Sequence, residues 1–286
     1  MFVAIGYLIA LGCIFGGYML HGGNLKVVLD ALPTEMMVIV GGALGAFVVN
    51  NQPKVMKATL KAIPHAIKNS THTKASYLEL MALLFDILKK CRKDGLMSIE
   101  KDVDEPLSSD LFKKYPDIAA NQLLIEFLTD YLRMMVSGNL NAHEIEVLMD
   151  SEIDTFEQEA HAPVAAIARV SGGLPAFGIV AAVLGVINTM SSVGQSPAVL
   201  GAMIGSALVG TFLGILLAYG VVEPLGGLME QRAEDEAKKL LSIKATLLAS
   251  MQGYNPTTCI EFGRKVLFST ERPTFNEMET HVRSAR

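Results

Sequence analysis

Charged residues come in blocks along this chain, and the uncharged stretches between them define its elements. Residues 2–20, FVAIGYLIALGCIFGGYML, run for 19 positions without Asp, Glu, Lys, Arg or His. The stretch has neither a basic start nor a small-residue cleavage site, so it reads as a retained membrane helix and not a secretory leader. MMVIVGGALGAFVV at 36–49 reaches spanning length only with Leu32, Pro33 and Asn50 added. Between Arg169 and Glu223 lie 53 residues with none of those five types. SSVGQSP at 191–197 breaks them into 170–193 and 198–222, each long enough to cross a bilayer. The pattern predicts an all-α membrane protein. Its four transmembrane helices, at about 2–20, 33–50, 170–193 and 198–222, form two hairpins covering 1–50 and 169–223.

The remaining blocks are polar; 51–168 reads as helical throughout, and 224–286 as a C-terminal helix and tail. In KVMKATLKAIPHAIK, Lys54, Lys57, Lys61 and Lys68 form one stripe and Met56, Leu60, Ile63 and Ile67 another, as in a helix lying on anionic lipid headgroups. YLELMALLFDILKKCRKDG predicts an amphipathic helix stopped at Gly95. Asn141 followed by Glu144 predicts a capping box. LMEQRAEDEAKKLLSIKATLLASMQG predicts a further helix, with Glu234 and Lys238 placed to pair. Lysine and arginine crowd 51–93 and the segment after Pro224, whereas the 21–35 link has only Lys26 and the 191–197 link has none. By the positive-inside rule, both polar blocks and both termini lie in the cytoplasm.

A hydrophobic content of 51% and a mean hydropathy of +0.38 suit a minority of spans carrying a substantial water-exposed part. The net charge of −5 carries no nucleic-acid footprint. Cys13, Cys91 and Cys259 have no ligand spacing and read as reduced, incidental thiols. No metal or cofactor motif, phosphate loop or kinase signature is present, and no enzyme site is expected.

Ala198, Ala202, Ser206, Gly210, Gly214 and Ala218 recur every four residues, placing a small-residue groove on one face of the last span. Such a groove packs either on the chain's own helices or on another subunit. No acid or histidine is expected within the spans, Glu35 and Glu223 lying at their edges. Ion passage through a bilayer needs a partner group. Either this chain moves no ions, or a second chain supplies the carboxylate and this one forms the wall around it.

ALVGTFLGIL at 207–216 with Pro224 beyond it, SGGLPAFGIVAAVLGV at 171–186 and FGGYML at 15–20 resemble the MotA family of bacterial flagellar stator subunits. So do GY-P, EFGRK and ERP-F between 253 and 275, and the likeness extends over essentially the whole chain. The resemblance implies a homo-oligomeric, pentameric ring in the bacterial inner membrane around two MotB chains. MotB would supply the ion-binding aspartate and a peptidoglycan anchor. It also implies that Pro175 and Pro224 couple ion passage to movement, and that Arg92 and Glu100 touch the rotor protein FliG. Read without it, the prolines are a kink and a helix stop, Arg92 and Glu100 are solvated charges, and Thr211 bonds its own helix. Sodium-driven members carry threonine at the positions of Ala182 and Gly210, so the resemblance implies protons as the coupling ion, with Thr211 near the partner's aspartate. The alternative is an ExbB/TolQ-type energiser of outer-membrane processes, but such chains usually have three spans.

Overall fold

The computed structural model describes residues 2–68 and 73–284. Among them there is no β-strand, and four helices are long and apolar enough to cross a membrane. The twelve α-helices are α1 (Phe2–Leu20), α2 (Leu25–Asn50), α3 (Pro53–Ile67), α4 (Lys74–Asp94), α5 (Glu100–Asp104), α6 (Pro116–Ala119), α7 (Gln122–Ser137), α8 (Ala142–Met190), α9 (Pro197–Leu217), α10 (Glu223–Met251), α11 (Pro256–Lys265) and α12 (Phe275–Ser284). They fall into two compact units, Met1–Asn69 with Glu159–Gln231, and Ser70–Gln158 with Arg232–Arg286.

The first unit holds the spans. α2 packs along α9, and its core is small and aliphatic: Val28, Ala31, Ile39, Ala43, Leu174, Ala181, Val209 and Leu213. Phe15 of α1 meets Phe212 edge-on, with ring centroids 5.9 Å apart. Arg169 donates to the side-chain oxygen of Asn51 (2.8 Å), and the Asn51 amide donates to the Phe47 carbonyl at the end of α2 (2.7 Å). α3 belongs with this unit, although the sequence places it in the water-exposed block. It buries Ala66 against Val164, Ile167 and Met229 and leaves Leu60, Ile67 and its lysines exposed. An exposed apolar edge beside lysines is the composition of a helix resting on a membrane surface.

Three boundaries differ from the sequence reading. α2 starts eight residues before Pro33, because Asn24 caps it by accepting from the Lys26 N–H. No element ends at 168; α8 continues through Pro163 and Pro175. Pro224 does not stop the fourth span, because Ala218–Val222 open into a π-helical turn and α10 continues beyond. Proline lacks the N–H that would bond to the fourth residue before it, and its ring crowds that carbonyl; widening the preceding turn relieves the clash.

The second unit has a large-residue core: Tyr77, Leu80, Leu83, Leu84, Phe112, Phe127 and Leu128 are almost fully buried. Its helix ends are capped by side chains. Thr73 accepts from the Ser76 N–H, Asn121 from Leu124 and Asn255 from Thr258. Asn141 and Glu144 make both bonds of the capping box, at 2.8 and 3.0 Å. Gly95 and Gly138, at φ +86° and +67°, end α4 and α7 in backbone that side-chained residues rarely adopt. Lys238 lies over the Phe268 ring, 4.7 Å from its centroid, instead of pairing with Glu234.

Candidate functional site

The unit of spans concentrates its side-chain chemistry where α8 meets α9. Gly178 and Gly214 face each other so closely that a Cβ built on Gly214 would lie 2.8 Å from both the Gly178 Cα and the Leu174 carbonyl. A Cβ on Gly178 would lie 2.8 Å from the Gly210 carbonyl, and one on Gly185 would lie 2.6 Å from the Ala207 Cβ. In lipid no hydrophobic force drives helices together, so backbone approach of this kind supplies the packing. The six-residue stripe is therefore divided. Gly210, Gly214 and Ala218 are buried within the chain, Ser206 is half-buried, and Ala198 and Ala202 are exposed.

Pro175 sits on α8 one turn beyond Ser171, whose hydroxyl donates to the Ala218 carbonyl (3.1 Å) where the π-turn begins. Tyr7 of α1 donates to the Val221 carbonyl in the same turn (2.9 Å). The turn also makes a wide backbone bond of its own, from the Glu223 N–H to the Ala218 carbonyl. One hydrogen bond thus links the turn before Pro175 to the π-turn before Pro224, and that irregular backbone is tied to two neighbouring helices. Single-turn π segments inside α-helices often mark functional positions. Pro175, Ala182 and Thr211 are half-buried and Pro224 is exposed.

Glu35 departs from expectation. It is 8% exposed, and its Oε2 atom is buried without a hydrogen-bond partner. That oxygen rests on Gly210, in the space a Cβ would occupy. Two signals could have found these groups. Reading Asn24 as an N-cap moves the start of α2 outward and sets Glu35 nearly three turns inside it. Pro224 frees the carbonyl four residues before it, and so marks the preceding turn as one that draws side-chain donors from neighbouring helices, such as Ser171 and Tyr7.

In the second unit Arg92 and Glu100 are exposed on either side of Gly95, and none of the ion pairs among the described residues uses them. A side-chain pair, Lys90 with Asp102, brackets the segment that carries them. Lys90 donates to Asp102 (2.6 Å), and Ser109 donates to its other oxygen (2.7 Å). Burial alone would raise the Asp102 pKa, but these bonds outweigh it and hold the carboxyl below its ordinary range. Arg92 also borders a cavity of about 430 Å³ lined by Cys91, Leu96, Met135, Tyr254 and Cys259. Burial pushes the Cys91 thiol up to about 11, so it stays protonated and unreactive at neutral pH. Among the described residues no group of three or more His, Cys, Asp or Glu side chains gathers to hold a metal ion.

Residues 4–95 match the family described as Motility protein A N-terminal, and residues 119–257 match the MotA/TolQ/ExbB proton channel family. The chain is 46% identical over 286 residues to Motility protein A of Salmonella typhimurium, covering 100% of this chain and 96% of that protein. It is 37% identical over 275 residues to Chemotaxis protein LafT of Vibrio parahaemolyticus, covering 96% of each. Its fold matches a solved structure described as "Structure of C. jejuni MotAB" with a TM-score of 0.77, over 93% of this chain and 95% of that one, at 22% identity.

Proposed function

The chain belongs to the motility protein A family of flagellar stator subunits, and from that premise we propose how its parts work. It forms a homo-oligomeric, pentameric ring in the inner membrane, with both termini in the cytoplasm, around a MotB pair whose aspartate takes up the proton. The paired prolines carry this reading. The Ser171–Ala218 bond ties the Pro175 turn to the π-turn before Pro224. A change of charge beside Pro175, Ala182 and Thr211 then reaches the start of α10 through one contact. Ala198, Ala202 and Ser206, left open on the last span, serve for packing on neighbouring helices of the assembly.

Arg92 and Glu100 are the contacts to FliG on the rotor. One elementary charge crossing the membrane releases about 2.3 kcal/mol per 100 mV. Exposed ion pairs, worth roughly 0.2–1 kcal/mol each and weakened by salt, form a grip that such steps can break. Two unpaired charges on a segment bracketed by the Lys90–Asp102 pair suit that use. Protons are the coupling ion, since the positions where sodium-driven relatives carry hydroxyls are Ala182 and Gly210 here.

Deletion of the gene should leave cells flagellated but paralysed, and the wild-type chain should restore swimming. Arg92→Glu with Glu100→Lys should impair swimming under load while proton flux persists, and reversed charges on the rotor should restore part of it. Normal swimming in the deletion strain would refute the stator role. Swimming that follows external sodium at constant proton motive force would refute the proton.

A further inference from the structure

Glu35 was expected at a membrane edge; the helices put it inside. It follows Leu25 by ten residues, Gly210 follows Pro197 by thirteen, and Ala182 precedes Met190 by eight. At 1.5 Å per residue these positions lie roughly 15, 20 and 12 Å from the helix ends that share one side of the bundle. The hydrocarbon layer is about 30 Å thick. The carboxyl therefore sits inside the bundle of spans, ten residues into α2 and five beyond the exposed Asp30, 92% shielded, with Oε2 over Gly210, whose missing Cβ would also come within 3.1 Å of the Ala182 nitrogen.

Among the described residues no side chain bonds to its buried oxygen. α8 between 170 and 190 has no titratable side chain. α9 and the π-turn offer only Tyr219, which is exposed, and α1 offers Tyr7, Cys13 and Tyr18. The Tyr7 hydroxyl is spent on Val221. On α2 itself Lys26 and Asp30 are exposed, and the Thr34 hydroxyl is spent on the Ala31 carbonyl. An ionised carboxylate without a partner in such a place costs several kcal/mol or more, so the resting group is the acid, with an O–H still to be used. Buried polar atoms are almost always satisfied, and exceptions call for a role. Ionisable groups within spans mark ion paths.

We infer that Glu35 is a proton-carrying carboxyl contributed by this chain, with Gly210 and Ala182 forming its open side. The inference rests on the proton-driven reading above. In the step, the Glu35 O–H gives its proton to a carboxylate or water on the cytoplasmic side. The resulting carboxylate then takes one from a hydronium ion on the outer side, leaving water. One proton enters for each that leaves, and no other bond changes. Gly210 is thus small for two reasons: α8 lies close, and a carboxyl oxygen occupies the space of its side chain.

Membranes containing the full-length chain and its co-expressed partner would be treated at neutral pH with a lipid-soluble carbodiimide, which couples to protonated buried carboxyls, and the adducts mapped by peptide mass spectrometry. Glu35 should be labelled, and a water-soluble carbodiimide should leave it alone. Absence of the lipid-soluble adduct from the wild-type protein overturns the inference without any variant having to fold. Restoration of swimming by the wild-type gene in a deletion strain establishes the stator reading separately. With that in hand, Glu35→Gln should lower proton flux by about a hundredfold, the low end of what a positioned proton-transfer group contributes. Glu35→Asp should recover part of the flux. Wild-type flux in Glu35→Gln would leave the carboxyl a bystander and sink the relay.

Discussion

A methyl group is too large at Gly214 among the spans, whereas one would be too small at Leu84 in the second unit. Among the spans, helices approach by giving up side chains, and at Gly214 even one methyl group would meet the α8 backbone at both Gly178 and Leu174. In the second unit the helices are held apart and together by large residues such as Leu80, Leu84 and Phe127, each almost fully buried. The difference follows from the solvent. Water drives apolar side chains into a core at about 25 cal/mol for each Å² removed from it, so bulk is rewarded there. Lipid tails are as apolar as leucine, so only close contact and hydrogen bonds favour association. The same mutation should therefore mean opposite things in the two regions, which gives the comparison its tests.

The largest effect is expected at Gly214. Gly214→Leu should abolish assembly and swimming. Gly214→Ala should already impair both, because its Cβ would lie 2.8 Å from the Gly178 Cα and the Leu174 carbonyl, and backbone cannot step aside as a flexible side chain can. Gly201, on the same helix, has nothing within 4 Å of its would-be Cβ, so Gly201→Ala should be neutral. Complex recovery on membrane solubilisation with swimming speed would read all three. Equal tolerance at 201 and 214 would break the claim that close approach holds the spans.

Second is Leu84→Ala, the reverse operation. Leu84 is fully buried among large neighbours, and deletion of such a side chain typically costs about 2–5 kcal/mol. Proteolysis of the full chain in membranes should cut faster around α4 while the spans stay intact. Leu84→Met, which keeps volume, should cost less than about 1.5 kcal/mol. A resistant Leu84→Ala protein would mean that this core does not stabilise its unit.

The sequence made these regions unequally legible. An uncharged run is a strong signal, so all four spans could be read from 2–20, 36–49 and 170–222. Gly95 as the stop of α4 and the Asn141–Glu144 box were also legible, since cap chemistry is local. Positions where two signals compete were harder. Pro33, Pro163, Pro175 and Pro224 speak for breaks, yet all lie within helices, because a helix in a packed bundle tolerates a lost bond when neighbours or a widened turn absorb it. At the site, the glycine stripe was visible but its direction was not. A four-residue period says that a face is small without saying what lies against it. Glu35 was misplaced because a helix start read at Leu32 left it near an end.

Third comes the bond that joins the two proline turns. Ser171→Ala removes a donor to the Ala218 carbonyl at 3.1 Å. Hydrogen bonds between membrane helices average about 0.6 kcal/mol and reach roughly 1.7, so the ring should still form. If the bond transmits movement, swimming under load should fall more than such a stability loss explains, and Ser171→Thr should recover part of it. Bead-rotation torque at matched complex abundance measures this. Unchanged torque would leave the contact as packing alone.

The smallest effect belongs to the surface of the second unit. Glu277 caps α12 reciprocally with Thr274 and pairs with Lys74 at 2.7 Å. The hydrogen bond from Lys74 comes first, then those from the Thr274 backbone and hydroxyl, and together they hold the Glu277 carboxyl at about 2 against an ordinary 4.5. A carboxyl whose folded pKa lies below its unfolded value releases its proton on folding. Its stabilising contribution is therefore complete above about pH 4.5 and is lost as acid is added through the window down to about 2. Glu277→Gln should lower the unfolding midpoint of the full chain slightly at pH 7, and the gap from wild type should shrink as pH falls through that window. Both side chains are nearly half exposed, so added salt should narrow the gap as well. The corresponding experiment among the spans has no salt term, because Gly214 acts through contact and not charge. A salt-independent loss in Glu277→Gln would mean that the cap geometry alone stabilises α12, with Lys74 contributing nothing.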